Sequence, residues 1–119
     1  MASQTKHIIT GQAGEASAVR YLQEMGYQIC CRNFRYKRAE VDVIAQKDGL
    51  LVFVEVKTRA SDKFGFPEEA VGARKEALLL AAAEEYIYQT NWQHDIRFDI
   101  ISITLAPTPT VHHIKDAFH

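Results

Sequence analysis

The chain has 119 residues, 47% apolar and 24% charged, the size and balance of one globular domain with no room for a second. Fourteen Lys+Arg against fifteen Asp+Glu leave a formal charge of −1, which argues against a surface coated in positive potential for non-specific nucleic-acid binding. Apolar runs such as Leu50 to Val54 fall far short of the roughly 20 residues of a membrane helix. Met1 to Gly14 lacks a signal peptide's apolar core, so a soluble, cytoplasmic protein without a membrane partner is expected.

Met1 to Thr10 is polar and reads as a peripheral end. Gly11 to Gly26 reads as a helix, with Ala18, Val19, Leu22 and Met25 at helical spacing and Gly26 as the stop. Tyr27 to Asn33 reads as a strand containing Cys30 and Cys31, adjacent residues that point to opposite faces, cannot easily bridge, and suit buried thiols in a reducing compartment. With His7, His94, His112, His113 and His119 at no ligand spacing, no zinc site is expected. Glu40 to Gln46 alternates, Leu50 to Thr58 is apolar on both faces, and Asp48-Gly49 between them is a strong hairpin signal. Pro67 to Thr90 reads as a long helix interrupted near Gly72, and Arg97 to Leu105 as a strand. Residues 106 to 119 form the other peripheral end, broken by Pro107 and Pro109. The predicted order is helix-strand-strand-strand-helix-strand, an α/β sandwich around a mixed sheet whose central strand is covered on both sides.

A two-residue type I′ turn at Asp48-Gly49 pairs Lys47 with Leu50, and this register sets Asp42 opposite Glu55 and Glu40 opposite Lys57. Strict alternation puts these four on one face with Ile44 and Phe53, and Val41, Val43, Val54 and Val56 on the other. Like charges directly opposite destabilise a sheet. Either a divalent cation together with the Lys57 ammonium, or a shared proton, would neutralise Asp42 and Glu55. Solvated carboxylates beside an ordinary Glu40–Lys57 ion pair are the bland alternative. Against it, Glu55 and Lys57 interrupt a run whose apolarity on both faces predicts burial, where ionisable groups are costly unless paired or metal-bound.

Glu40-Val41-Asp42 followed by Glu55-Val56-Lys57 resembles the PD-(D/E)xK signature of the restriction-endonuclease-like superfamily. The wider pattern covers roughly residues 11 to 104. It comprises Gly11-Gln-Ala-Gly14-Glu15-Ala, Tyr21-Leu22, Gly26-Tyr27, Arg32-Asn33-Phe34-Arg35, Asp42-Val-Ile-Ala45, Val52 to Arg59, Phe64-Gly65, Lys75 and Arg97-Phe-Asp99, and it is similar to the YraN family of bacterial nuclease-like proteins. That family is similar in layout to archaeal Holliday junction resolvases. The superfamily's Pro is Val41 here, and the Gly that precedes the family's Glu-x-Asp is Ala39. The resemblance implies a restriction-endonuclease-like three-layer sandwich and a nuclease hydrolysing DNA phosphodiesters, branched or structured DNA included. It further implies Mg²⁺ or Mn²⁺ held by Asp42, Glu55 and the Val56 backbone carbonyl, with no organic cofactor. Lys57 would orient or help deprotonate the attacking water and offset transition-state charge, while Glu15, on the inward stripe of its helix, would reach the metal or its water, or else simply favour the helix macrodipole from the first turn.

Arg32, Arg35, Lys37 and Arg38, interleaved with Phe34 and Tyr36, form a compact basic-aromatic segment suited to phosphates and exposed bases, or equally a solvated loop with core-packed rings. Thr58, Arg59, Arg74 and Lys75 are further phosphate-contact candidates. Leu78 to Ala83 suits burial under the sheet or a homodimer interface. A non-catalytic nucleic-acid-binding or adaptor protein that keeps the fold is the alternative function. Residues 1 to 60 carry nine Lys+Arg and six Asp+Glu, residues 61 to 119 five and nine, so the neutral total combines a basic half with an acidic one.

Overall fold

The computed structural model describes residues 2–61 and 73–118, with side chains for 11–59 and 73–118. The elements run α1 (Ala2–Glu24), β1 (Gln28–Tyr36), β2 (Ala39–Lys47), β3 (Leu50–Ser61), α2 (Ala73–Thr90), β4 (Asp95–Ala106) and β5 (Thr110–Ile114). The five strands lie in sequence order in one sheet, with β3 and β4 parallel across the α2 crossover and every other pair antiparallel. Ala18 and Leu22 of α1 pack on one face with Val43, Ala45, Val52, Val54, Ile101 and Ile103. Leu79, Ala82 and Ala83 of α2 pack on the other with Val41, Ile44, Phe53 and Phe98. The architecture is a mixed α/β sheet between two helices. No described helix is long and apolar enough to cross a membrane.

The turn chemistry acts as expected at two places. Asp48 (φ 52) and Gly49 (φ 78) are both left-handed, as a type I′ turn demands, and Lys47 pairs with Leu50. Gly26 (φ 93) ends α1 in a Schellman motif, its N–H donating to the Gln23 carbonyl at 3.0 Å and that of Tyr27 to the Leu22 carbonyl at 2.9 Å.

Elsewhere the structure departs from the sequence reading. Helix α1 starts at Ala2 rather than Gly11, because the preceding polar residues carry no apolar stripe to mark them and no Gly or Pro to stop them. Met25 lies past the helix end and is exposed. Strand β1 continues to Tyr36, past Asn33 (φ 55), and reverses at Lys37 (φ 56) and Arg38, a tight turn without a Gly or Asn to announce it. A register shift between Ile29 and Cys31 lifts Cys30 out of the ladder, so Cys30 is exposed and Cys31 half-buried rather than both buried. Helix α2 is described from Ala73, and the stretch from Pro67 to Gly72 assigned to it lies outside the described residues. The tail beyond Pro109, read as a peripheral end, is strand β5 hydrogen-bonded to β4, which corrects the element order to one more strand.

A buried polar network holds that last strand. Asp99 is fully buried and accepts both Arg97 Nε and Nη2 (2.8 Å each), His113 Nε2 of β5 (2.7 Å) and the Asp116 amide (3.0 Å). Arg97 also donates to the Tyr27 hydroxyl (2.9 Å), and the Tyr21 hydroxyl and His113 Nδ1 are hydrogen-bonded at 3.0 Å. Desolvation pushes the Asp99 carboxyl up, but the bonds from His113, Arg97 and Asp116 outweigh it and hold the group below its ordinary value.

Helix α1 meets β3 at Gly14, where any Cβ would fall inside the contact distance of the Thr58 side chain. Only glycine lets the helix lie this close. Gly14→Ala is therefore expected to cost about 1–3 kcal/mol in chemical denaturation. That cost should shrink in a Thr58→Ala background, as a double-mutant cycle reads. Asp99→Ala, which strands Arg97 and His113, should cost about 3 kcal/mol, at the low end for a broken buried pair because Arg97 keeps 20% exposure.

Candidate active site

The site begins where the β2–β3 ladder ends. From the turn, pairing runs Lys47↔Leu50 to Val43↔Val54 and goes no further. In a hairpin with a two-residue turn the hydrogen-bonded pairs alternate from the turn outward, so the Val56 N–H would next be given to the Val41 carbonyl. It goes instead to Asp42 Oδ2 at 2.8 Å. The side chain has replaced the backbone as acceptor, and the alternation of β2 breaks with it: Val41 packs on the α2 side whereas Val43 packs on the α1 side. This corrects the expectation that Val41 shares a face with Val43. It also removes the two expected cross-strand pairs. Asp42 is not a ladder partner of Glu55, and Glu40 pairs with Arg35 (3.3 Å) rather than with Lys57.

The carboxylates nevertheless converge. Arg38, Glu40, Asp42, Glu55, Lys75 and Leu79 are among the residues enclosing a cavity of about 250 Å³ between the start of β2, β3 and the first turns of α2. Glu55 is 5% exposed, with Lys75 Nζ in contact with its Oε1 and Lys57 Nζ 4.0 Å from the same oxygen. Desolvation, then the charge of Glu55, pushes the Asp42 carboxyl up to about 7, with smaller contributions from Glu15 and Glu40 and with the Val56 N–H opposing. Desolvation and the neighbouring Lys75 ammonium pull Lys57 down. Lys75 suffers desolvation too, but the contact with Glu55 wins and its ammonium is held above the ordinary value.

Among the described residues no group of three or more His, Cys, Asp or Glu is close enough to cage a metal ion. The donors here are carboxylate oxygens beside a cavity with room for water. Such a set suits a hard, partly hydrated cation such as Mg²⁺, which uses one or two carboxylates and keeps several waters, and does not suit zinc. A strand residue turns its N–H and C=O to the same edge, so the Val56 carbonyl faces the β2 side along with the amide that Asp42 holds.

Glu15 does not line the cavity. It sits one residue after the Gly14 contact, 3.5 Å from Arg32 Nη2, and its charge is felt at Asp42. The basic-aromatic segment is a hairpin rather than a loop: Arg32, Arg35, Lys37 and Arg38 are exposed, while Phe34 and Tyr36 pack against the α2-side core. The Lys37 ammonium lies 5.2 Å from the Tyr36 ring centre. Thr58 is taken up by the contact with Gly14, Arg59 is half-buried further along β3, and Arg74 is exposed beside Lys75 at the start of α2.

Two features escaped sequence reasoning. Lys75, a phosphate-contact candidate from sequence, sits on Glu55; a Lys in a helix's first turn carries no sign of a partner 20 residues earlier. Ser102, the parallel partner of Lys57, has a buried hydroxyl with no hydrogen-bond partner, and nothing but its place in an apolar strand could have marked it. The Asp99 network did leave a signal, since Arg97 and Asp99 interrupt one face of an otherwise apolar strand.

The profile of the Uncharacterised protein family UPF0102 matches residues 14–103, a span that includes Gly14, Asp42, Glu55, Lys57, Lys75 and Asp99. A UPF0102 protein of Cytophaga hutchinsonii is 41% identical over 111 residues, covering 93% of this chain and 96% of that one. One from Chlorobium chlorochromatii is 42% identical over 115 residues, with 91% and 89% covered. One from Caldanaerobacter subterraneus is 43% identical over 113 residues, with 91% and 93% covered. With a profile spanning most of its length and relatives matching nearly end to end, this chain belongs to the UPF0102 family.

Proposed function

We propose that the chain is a metal-dependent nuclease with a restriction-endonuclease-like fold, hydrolysing phosphodiester bonds in DNA, branched or structured DNA in particular. The observation that carries this reading is the convergence of Asp42, Glu55 and Lys75 at one cavity, with Lys57 Nζ 4.0 Å from Glu55 and an exposed basic hairpin alongside. A carboxylate held near pH 7 beside a buried second carboxylate and a lysine of lowered pKa is the kind of group that enzymes arrange for chemistry. A bound Mg²⁺ or Mn²⁺ would supply Lewis-acid polarisation of the phosphate and a more acidic water.

The chain's own residues have separable tasks. Asp42, oriented by the Val56 N–H, and Glu55 supply anionic oxygen ligands, with the Val56 carbonyl on the same strand edge. Lys57, fixed on the central strand and 20% exposed, orients the attacking water and offsets charge gathering on the phosphoryl oxygens. Glu15 acts at longer range on Asp42 and holds Arg32. Arg35, Lys37 and Arg38 bind backbone phosphates, and Tyr36 stiffens their hairpin through its core contact. The two-fold symmetry of a homodimer in the cytoplasm would suit cleavage of both strands of a junction.

The adaptor alternative draws on two observations: the overall charge of −1, and a Glu55 whose charge is already met by lysines. A cleavage panel separates the readings. With Mn²⁺ or Mg²⁺ the protein should cut a labelled junction, flap or single-stranded oligonucleotide. Glu55→Ala and Lys57→Ala should each lower the rate by at least about 100-fold with unchanged circular dichroism. Binding without cleavage on every substrate would favour the adaptor, and equal cleavage by both variants would remove these residues from the chemistry.

The carboxylate pair also makes a prediction about stability. Asp42 titrates near 7 in the folded chain against an ordinary 3.8, so between these values the folded state binds more protons than the unfolded one. Stability of metal-free protein then falls as pH rises through this window. Asp42→Asn keeps an oxygen for the Val56 N–H and removes the charge. In EDTA it should flatten the pH profile and gain on the order of 1–2 kcal/mol at pH 8, less than the full shift implies because Asp42 is only partly buried. Thermal denaturation at pH 5 and pH 8 checks it; an Asp42→Asn profile parallel to the wild type would show that Asp42 titrates normally.

A further inference from the structure

We propose that Lys75 is a built-in competitor for the divalent cation, its ammonium occupying Glu55 until the cation takes that oxygen and releases the side chain to bind phosphate. The inference rests on the metal-dependent reading above and adds the order of events within that site.

Charge balance is the first argument. Glu15 carries Arg32 and Glu40 carries Arg35, while the inner pair Asp42 and Glu55 is matched by Lys57 and Lys75. A cation with two positive charges cannot be added to this balanced group at low cost while both lysines keep their places, because desolvated like charges repel strongly. One ammonium must move, or an anion must arrive.

Geometry selects Lys75. Lys57 stands on the central strand, its backbone paired to Ser102 of β4, with a side chain 20% exposed. Lys75 comes from the first turn of α2, reaches Glu55 across the cavity, and is 48% exposed. A long, flexible stem with one end in solvent can swing at small cost, whereas a strand lysine cannot leave its face. Both lysines address the same Oε1, Lys75 in contact and Lys57 at 4.0 Å, so Lys75 occupies the oxygen that the two share.

Displacement has a consequence for substrate. A released Lys75 stays at the cavity rim near Arg38, where it adds one cation for a phosphate. Cation and nucleic acid then help each other bind, a coupling that is reciprocal. In the absence of cation, Lys75 keeps the acidic pocket neutral and the two carboxylates tolerable.

The test is Mn²⁺ affinity, read on the full chain from the electron paramagnetic resonance signal of free Mn²⁺, without substrate. Lys75→Met should bind Mn²⁺ on the order of tenfold more tightly than wild type, within the usual range for coupled ligands. Lys57→Met, which removes an equal charge from nearby, should gain less. Lys75→Gln serves as a second variant if Lys75→Met does not keep the wild-type circular dichroism. Wild-type binding with no tightening in the Lys75 variants, or tightening no greater than in Lys57→Met, would overturn the competition and leave the metal site standing. No Mn²⁺ binding at millimolar concentration by wild type or variants would overturn both.

Discussion

An amide inside a sheet must find an acceptor, since leaving one unpaired costs about as much as a lost hydrogen bond, and at Val56 that acceptor is the Asp42 carboxylate. Much of the candidate site follows from this exchange. Taking the amide from the backbone ends the β2–β3 ladder at Val43↔Val54, and the break turns Val41 onto the face opposite Val43. It also leaves the far part of β3 paired on its β4 side, where the parallel register continues to Ser61↔Ala106. The opened edge is where Glu40, Asp42 and Glu55 meet the start of α2. An uninterrupted hairpin would have made Asp42 and Glu55 direct ladder partners; the interrupted one sets both at the edge of a cavity and gives Asp42 a fixed orientation.

The rest of the molecule holds that edge in place from both faces. On the α1 side, Gly14 lets the helix lie against Thr58, and the next residue, Glu15, thereby comes within electrostatic reach of Asp42. On the α2 side, Leu79, Ala82 and Ala83 seat the helix on Phe53 and Ile44, which fixes where Lys75 enters. The Asp99 network lies beyond, on β4 and β5, with four donors to one carboxylate. Its work is architectural: it ties α1, the α1–β1 connection at Tyr27, β5 and the C-terminal turn to β4, the strand that backs β3 throughout the site. A dry core needs close packing but not a unique register, whereas a bidentate arginine and a histidine aimed at one carboxylate permit only one.

Sequence reasoning succeeded where local chemistry decides the structure. Asp-Gly at positions 48 and 49 set the turn, the turn set the register to Val43, and Gly26 stopped α1. It failed where a long-range partner decides. Nothing local says that Asp42 will take an amide 14 residues later, so strict alternation was carried too far and put Val41 on the wrong face. The exposed Cys30 has the same origin, a bulge that no Gly marks. Strand β5 was hidden by Pro107 and Pro109, which lie in its connection rather than in the strand, and its attachment depends on an aspartate 14 residues earlier. The convergence of Asp42, Glu55 and Lys57 was legible, since three ionisable groups in an apolar hairpin must answer to one another; the arrival of Lys75 from another element was not.

The charge count acquires a different meaning from these contacts. A total of −1 suggested a chain with little electrostatic pull on a polyanion. Around the cavity, however, most basic side chains are engaged with acids: Arg32 with Glu15, Arg35 with Glu40, Lys57 and Lys75 with Glu55. The basic side chains near the site are therefore balanced in place rather than scarce, and under the proposed competition a divalent cation at Glu55 would free Lys75. Under that coupling the field at the site depends on whether cation is bound, not on the composition of the chain. On the proposed reading, such a protein would hold plain duplex weakly when metal-free, because its counter-ions are internal, and would gain affinity at the cavity mouth when a cation enters. Recognition of a nucleic acid would then rest on bringing a phosphate to one edge of one sheet, a demand of shape that a bent or branched backbone would meet more readily than a uniform rod.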